Sequence, residues 1–203
     1  MVLAAGGSSR LGSPKQLLPY RGRTLLRHAV EVALAAARPP DAGVRGRTGS
    51  GARDPVVVVI GAEGARTRSE LSGLGVLIVD NQRWREGLST SLRAGLAGLH
   101  STAEPDAALF TTCDQPRVTP EALRRLIDTY AKSRAPVVAC SYGGTLGVPA
   151  LFDRSLFPEL RELQGDAGAK RVIEGHRAAV VPVAFPDAEV DVDTADDVRG
   201  LAD

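Results

Sequence analysis

The sequence holds only two cysteines, almost no excess of either charge and no long apolar run, and each shortage removes a class of protein. Cys113 and Cys140 belong to neither a CxxC motif nor a Cys/His cluster, and two cysteines in 203 residues do not make a secreted disulfide scaffold. A reducing cytoplasm is the expected location. The 25 basic residues face 24 acidic ones, so no global field draws in nucleic acid or an anionic membrane, and neither is expected as a partner. Any anion site must be local. No apolar run approaches the roughly 18 residues of a membrane span, and Met1 to Ala5 is too short for the apolar core of a signal peptide. Strand-like residues begin at Met1, so the usual lead-in to a first strand is expected upstream of this start. No internal repeat is visible.

What is present is alternation. Val2 to Ala5, Val56 to Ile60, Val76 to Val79, Ala107 to Thr112, Pro136 to Ser141 and Ala179 to Ala184 read as strands, near-continuously apolar as strands covered on both faces should be. Helical patterns fill the gaps. Thr119 before Pro120 and Glu121 is the clearest helix start, an N-cap hydroxyl followed by proline and an acid. Thr24 before Leu25 to Ala37 and Thr194 before Ala195 to Leu201 look similar, and further helices are expected near Ser89 to Leu99, Ser155 to Leu163 and Gly168 to His176. This order predicts an α/β class, one domain over residues 1–203 with a mostly parallel, Rossmann-like sheet flanked by helices. Between Arg38 and Asp54 the chain is polar and aperiodic, which predicts a flexible surface insertion at 38–54.

The strongest local signal is Leu3 to Leu18, LAAGGSSRLGSPKQLL, in which a short apolar strand runs into Gly6, Gly7, Ser8 and Ser9. Small residues let backbone N–H groups approach phosphate oxygens, and consecutive amides in a turn form an anion-binding concavity. Arg10 adds a planar fork and Lys15 a point charge on a long stem. Two familiar phosphate motifs do not fit. After Gly7 to Gly12, Ser13 and Pro14 stand where a Walker A motif needs Lys and Ser/Thr, and GxGxxG cannot be placed on Gly6, Gly7 and Gly12.

Asp114 follows a strand, at the carboxyl end where open α/β sheets place their ligand crevice. A divalent Mg²⁺ ion takes oxygen ligands and often uses one or two carboxylates plus phosphate oxygens. Asp114 and Asp193 are the expected pair. Asp191 alternates with Asp193 around Val192, so an extended segment turns both acids the same way. Trp84 is expected to pack rather than stack on a ligand, Cys113 to be buried filler, and His28, His100 and His176, far apart in sequence, to be solvated or satisfied.

The loop string resembles the MobA-like NTP transferases of molybdenum-cofactor maturation, whose pattern is LAxGxSxRMGxxKxLL, with Leu11 here in the place of methionine. The resemblance covers nearly the whole chain. It is carried further by Asn81, Trp84, Gly87 and Ser91, by Asp114, Gln115 and Pro116, by Gly147 and Pro149, by Gly165 to Ala169 and by Asp191 to Thr194. Lys170 replaces an arginine of the pattern and loses its bidentate geometry. The resemblance implies a nucleotidyltransferase fold of the GT-A-like kind. Leu3, Ala4, Ala5 and Gly6 match the cytidylyltransferase branch and imply CTP rather than GTP. The implied acceptor is molybdopterin, contacted by Asn81, Ser89, Ser91 and Gly147, with Pro149 and Asp166 also at the ligands, and a molybdoenzyme is the implied client. Arg10, Lys15 and Asp114 are the expected catalytic residues. Rival readings are a different phosphorylated acceptor, a nicotinamide-dependent oxidoreductase, and a cofactor-delivery protein without catalysis.

Overall fold

The computed structural model describes residues 1–8, 12–37, 54–102, 104–193 and 197. In chain order these form β1 (Val2–Ala4), β2 (Pro19–Tyr20), β3 (Arg23–Thr24), α1 (Leu25–Ala36), β4 (Val57–Ile60), α2 (Gly64–Glu70), β5 (Leu77–Asp80) and α3 (Leu88–Thr102). Then come β6 (Ala107–Thr112), α4 (Pro120–Ser133), β7 (Val137–Tyr142), β8 (Thr145–Asp153), α5 (Phe157–Glu162), α6 (Ala169–Gly175) and β9 (Val180–Ala184). The expected insertion at 38–54, apart from Asp54, lies outside the described residues, as do Thr194 and nearly all of the helix expected after it.

One seven-stranded sheet runs in the order β5-β4-β1-β6-β8-β7-β9. Pairs β5–β4, β4–β1, β1–β6 and β7–β9 are parallel, and β8 alone runs antiparallel to its neighbours β6 and β7. The sheet is therefore mostly parallel and helix-covered, as the alternation predicts. Side chains of the central strands alternate between two cores because the strand period is two. Val2, Ala4, Val58 and Ile60 face α1 and α4, through Leu26, Val30, Leu123 and Leu126. Leu3, Ala5, Val57 and Val59 face α3, α5 and α6, through Leu92, Leu96, Leu160 and Ile173.

The caps expected at Thr24 and Thr119 form. Thr24 Oγ1 accepts the Arg27 N–H and Thr119 Oγ1 the Ala122 N–H, each at 3.2 Å, a contact that stabilises a helix by about 1 kcal/mol. Three features do not appear in the sequence reading. The β2–β3 hairpin is very short, α2 starts without a side-chain cap after the left-handed Glu63 (φ 56°), and β8 carries Gly147 and Pro149, which interrupt an apolar run. β8 matters most for the site. Because it is antiparallel and Ala150 pairs with Phe110, its first residues project past the end of β6, toward Asp114. The parallel strands β5, β4, β1 and β6 end along the same edge, where the chain also enters α1, α3 and α4.

Candidate active site

At this edge the chain leaves β1 through Ala5 and the exposed Gly6 and Gly7. The Ala5 carbonyl accepts the Ala62 N–H at 3.0 Å, tying the loop to the turn after β4. Ser8 takes a left-handed backbone (φ 51°), and its Oγ accepts the Lys15 backbone N–H at 2.9 Å. Gln16, 1% exposed, donates through Nε2 to the Ala4 carbonyl at 2.9 Å and the Gly6 carbonyl at 2.5 Å. These bonds take up loop carbonyls from within. Ser9, Arg10 and Leu11 lie outside the described residues.

The loop forms one wall of a cleft of about 500 Å³, with Gly61 to Glu63 and Trp84 to Arg85 on the other side. A Cβ at Gly7 would stand 2.8 Å from Cη2 and Cζ3 of Trp84, and one at Gly61 would stand 2.9 Å from Trp84 Cβ and the Ala5 oxygen. These glycines let the indole lie flush on the backbone. The Arg85 guanidinium covers the ring at 4.4 Å, a cation–π contact, so Trp84 packs as expected.

Opposite the loop's other flank, Lys15 Nζ lies 2.5 Å from Asp114 Oδ2 and 2.8 Å from Asp193 Oδ1. Partial burial alone would lower the Lys15 pKa, but the carboxylates of Asp114 and Asp193 outweigh it and raise the ammonium above the usual lysine value. The Asp114 carbonyl accepts the Val192 N–H at 2.9 Å, and Val192 is fully buried. This bond fixes the segment that carries Asp191 and Asp193 beside Asp114. Asp191 shares the neighbourhood: desolvation first, then the charges of Asp193 and Asp114, hold its carboxyl above the ordinary aspartate value.

Oxygens of two carboxylates thus converge on one cationic point. Among the described residues no cluster of three or more His, Cys, Asp or Glu is arranged to hold a metal. The donor set fits a hard divalent ion that takes Asp114 and Asp193 and completes its shell with phosphate oxygens and water.

The remaining predicted residues fall into three groups. Gly147 and Pro149 flank Val148, whose carbonyl accepts from Gln115 Nε2 at 3.0 Å and Tyr142 Oη at 3.1 Å, so they stand beside the Asp114 turn. Asn81 and Ser91 form a buried knot at the start of α3: Asn81 Nδ2 donates to Thr90 Oγ1 at 2.8 Å and Ser91 Oγ at 3.0 Å, and its Oδ1 accepts the Arg83 N–H at 3.0 Å. Asp166 is exposed, on a loop docked on α3 through the Ser89 N–H, which donates to the Gly165 carbonyl at 3.1 Å. A Cβ at Gly87 would stand 2.2 Å from Gly165. The Ser89 hydroxyl is buried without a partner. Lys170 is exposed at the start of α6.

Cys113 is buried, and desolvation pushes its thiol up to about 12, which fits filler. All three histidines are satisfied. His28 Nε2 lies 3.0 Å from the Pro116 carbonyl, His100 Nδ1 3.0 Å from the Leu96 carbonyl and His176 Nε2 2.6 Å from Glu159 Oε2. The residue that the sequence reading leaves without a role is Gln16. Its signal is its place, directly after Lys15 in the glycine-rich string.

Among known proteins, the MobA-like NTP transferase domain matches residues 1–180. The nicotine blue oxidoreductase of Paenarthrobacter nicotinovorans is 32% identical over 84% of this chain and 78% of its own. The crystal structure of Rv0371c from Mycobacterium tuberculosis H37Rv shares 35% identity, covers 98% of this chain and 95% of its own, and superposes with a TM-score of 0.76. A manganese complex of Rv0371c, at 32% identity over 98% of this chain and 95% of its own, has a TM-score of 0.75. No helix among the described residues is long and apolar enough to cross a membrane.

Proposed function

The chain belongs to the MobA-like NTP transferase family, and on that premise we propose that it transfers CMP from CTP to a molybdopterin-type acceptor in the cytoplasm, releasing pyrophosphate. The observation that carries this reading is the meeting of Lys15, Asp114 and Asp193 at the foot of the glycine-rich loop. In the reaction an acceptor phosphate oxygen attacks the α-phosphorus, the bond from that phosphorus to the bridging oxygen breaks, and pyrophosphate carries the electron pair away. The nucleophile is already anionic, so the protein supplies position and charge neutralisation rather than a covalent intermediate.

Backbone N–H groups of Gly6, Gly7 and Ser8, with Ser9 and Arg10, hold the triphosphate. Lys15 neutralises charge on the oxygens around the reacting phosphorus. Asp114 and Asp193, with Asp191 beside them, hold a divalent cation, proposed as Mg²⁺, which supplies charge stabilisation at the phosphates when bound. A relative crystallised as a manganese complex supports a divalent cation as the cofactor. Leu3 to Gly6 supports CTP through its likeness to the cytidylyltransferase pattern. The same likeness supports the molybdopterin acceptor through Asn81, Ser91, Gly147, Pro149 and Asp166, and a molybdoenzyme as client.

The experiment is pyrophosphate release from CTP and from GTP, each with Mg²⁺ and molybdopterin, in the wild type and in Asp114→Ala. Release with CTP that vanishes in the variant is expected. A second reading is oxidoreduction, favoured by the name of the 32%-identical curated relative. Tight NADPH binding with no release from either nucleotide would establish that reading instead.

A further inference from the structure

We propose, on the reading of Asp114 and Asp193 as cation holders, that Lys15 is the resident counter-ion of the metal site and gives up both carboxylates when a divalent ion takes them. Its ammonium stands within hydrogen-bond distance of both acids, at 2.5 and 2.8 Å. A Mg²⁺-sized ion needs oxygens at about 2.0–2.1 Å. An ion on those same two oxygens would therefore press against Nζ, with like charge facing like. Lys15 and the metal occupy one place in turn.

The bonds around the Lys15 main chain set where its side chain can turn. Its backbone is pinned on both sides, by its N–H on Ser8 Oγ at 2.9 Å and by its carbonyl, which accepts the Leu18 N–H at 3.1 Å. The next residue, Gln16, is stitched to the Ala4 and Gly6 carbonyls. The main chain is held, and the flexible four-carbon stem moves. Because its root is bonded to the glycine-rich loop, the released ammonium turns toward the phosphates bound there. Lys15 is thus a positioning residue before nucleotide arrives, keeping together two mutually repelling acids that lie 99 and 178 positions from it in sequence, and a phosphate ligand afterward.

The chain suits a direct test, because its lysines are Lys15, Lys132 and Lys170, and the last two are exposed. Trace acetylation of the folded full chain, without nucleotide, is read peptide by peptide with and without Mn²⁺, while bound Mn²⁺ is counted by EPR. Without metal, Lys15 should react at least about tenfold more slowly than the two reference lysines, since its ammonium is held by two carboxylates. With Mn²⁺ bound, Lys15 should speed up at least about fivefold while Lys132 and Lys170 stay constant, because its partners now ligate the metal. Asp114→Asn, checked for fold by circular dichroism, should make Lys15 faster than in the metal-free wild type and insensitive to Mn²⁺, with Asp193 still holding it in part. Lys15→Met should bind Mn²⁺ at least as tightly as the wild type. Bound Mn²⁺ with an unchanged or slower Lys15 overturns the exchange and leaves the metal reading intact. No bound Mn²⁺ in the wild type overturns both.

Discussion

The loop side of the site and its acid side are built in opposite ways. Gly6, Gly7, Ser8, Lys15 and Gln16 come from one short segment, tied to itself by Ser8 Oγ and the Gln16 amide. Asp114 and Asp193 come from distant parts of the chain, and among the described residues the Lys15 ammonium and the backbone bond from Val192 to Asp114 bring them together. The loop side is preformed by local bonds, whereas the acid side depends on a salt bridge whose members are only partly buried, at 18%, 19% and 43% side-chain exposure. On the proposed reading the two sides have distinct tasks: the loop fixes where phosphates lie, and the acids exchange one cation for another without disturbing it.

Lys15 is the link between the sides, so its loss should have the largest effect. Lys15→Ala is expected to lower kcat by about 10²–10³-fold with a smaller change in nucleotide KM, read by steady-state pyrophosphate release. A KM effect alone would mean that Lys15 serves ground-state binding only. Gly7→Ala breaks the loop side from the other direction. Its Cβ would meet Trp84 at 2.8 Å, overpacking that costs about 1–3 kcal/mol, and nucleotide affinity should fall accordingly. Adding Trp84→Leu should restore part of the loss in a double-mutant cycle, as coupling between touching residues requires. No recovery would show that the contact is not the cause.

Gln16→Leu sharpens the comparison within the loop. It strips the Ala4 and Gly6 carbonyls of their donor, which should cost about 1–3 kcal/mol in urea unfolding and leave Mn²⁺ binding at the acid side unchanged. The smallest effect belongs to the two buried thiols, of which Cys113 adjoins Asp114. Burial pushes Cys113 and Cys140 up to about 12, so the folded state keeps their protons longer than the unfolded chain, whose thiols titrate near about 8.5. Stability from these groups is complete below that value and declines as pH rises toward 12. At pH 8 neither cysteine should react with iodoacetamide in the folded protein, and both should react in urea; native-state labelling of either would contradict the burial.

The same contrast explains what the sequence discloses. The apolar runs of β1, β4 and β6 and the caps at Thr24 and Thr119 are local signals, and local chemistry decides them. The glycine-rich loop is equally legible because its glycines, serines and lysine lie within one short segment. β8 is hidden because Gly147 and Pro149 break its pattern, while its backbone is held by two antiparallel neighbours. The role of Gln16 depends on the direction of two carbonyls, which no residue pattern encodes. Asp114 is visible as an acid after a strand, but its meeting with Lys15 and Asp193 is a product of the whole sheet order, with β1 beside β6 and the last described segment returned to that edge.

The central claim is nucleotidyl transfer at the meeting point of loop and acids. It is tested most directly by following label from the α- and the γ-phosphate of CTP in parallel, with Mg²⁺ and molybdopterin. The account predicts that α-label enters the acceptor and γ-label leaves as pyrophosphate, both dependent on Asp114. γ-Label in the acceptor, or release that persists in Asp114→Ala, would contradict it.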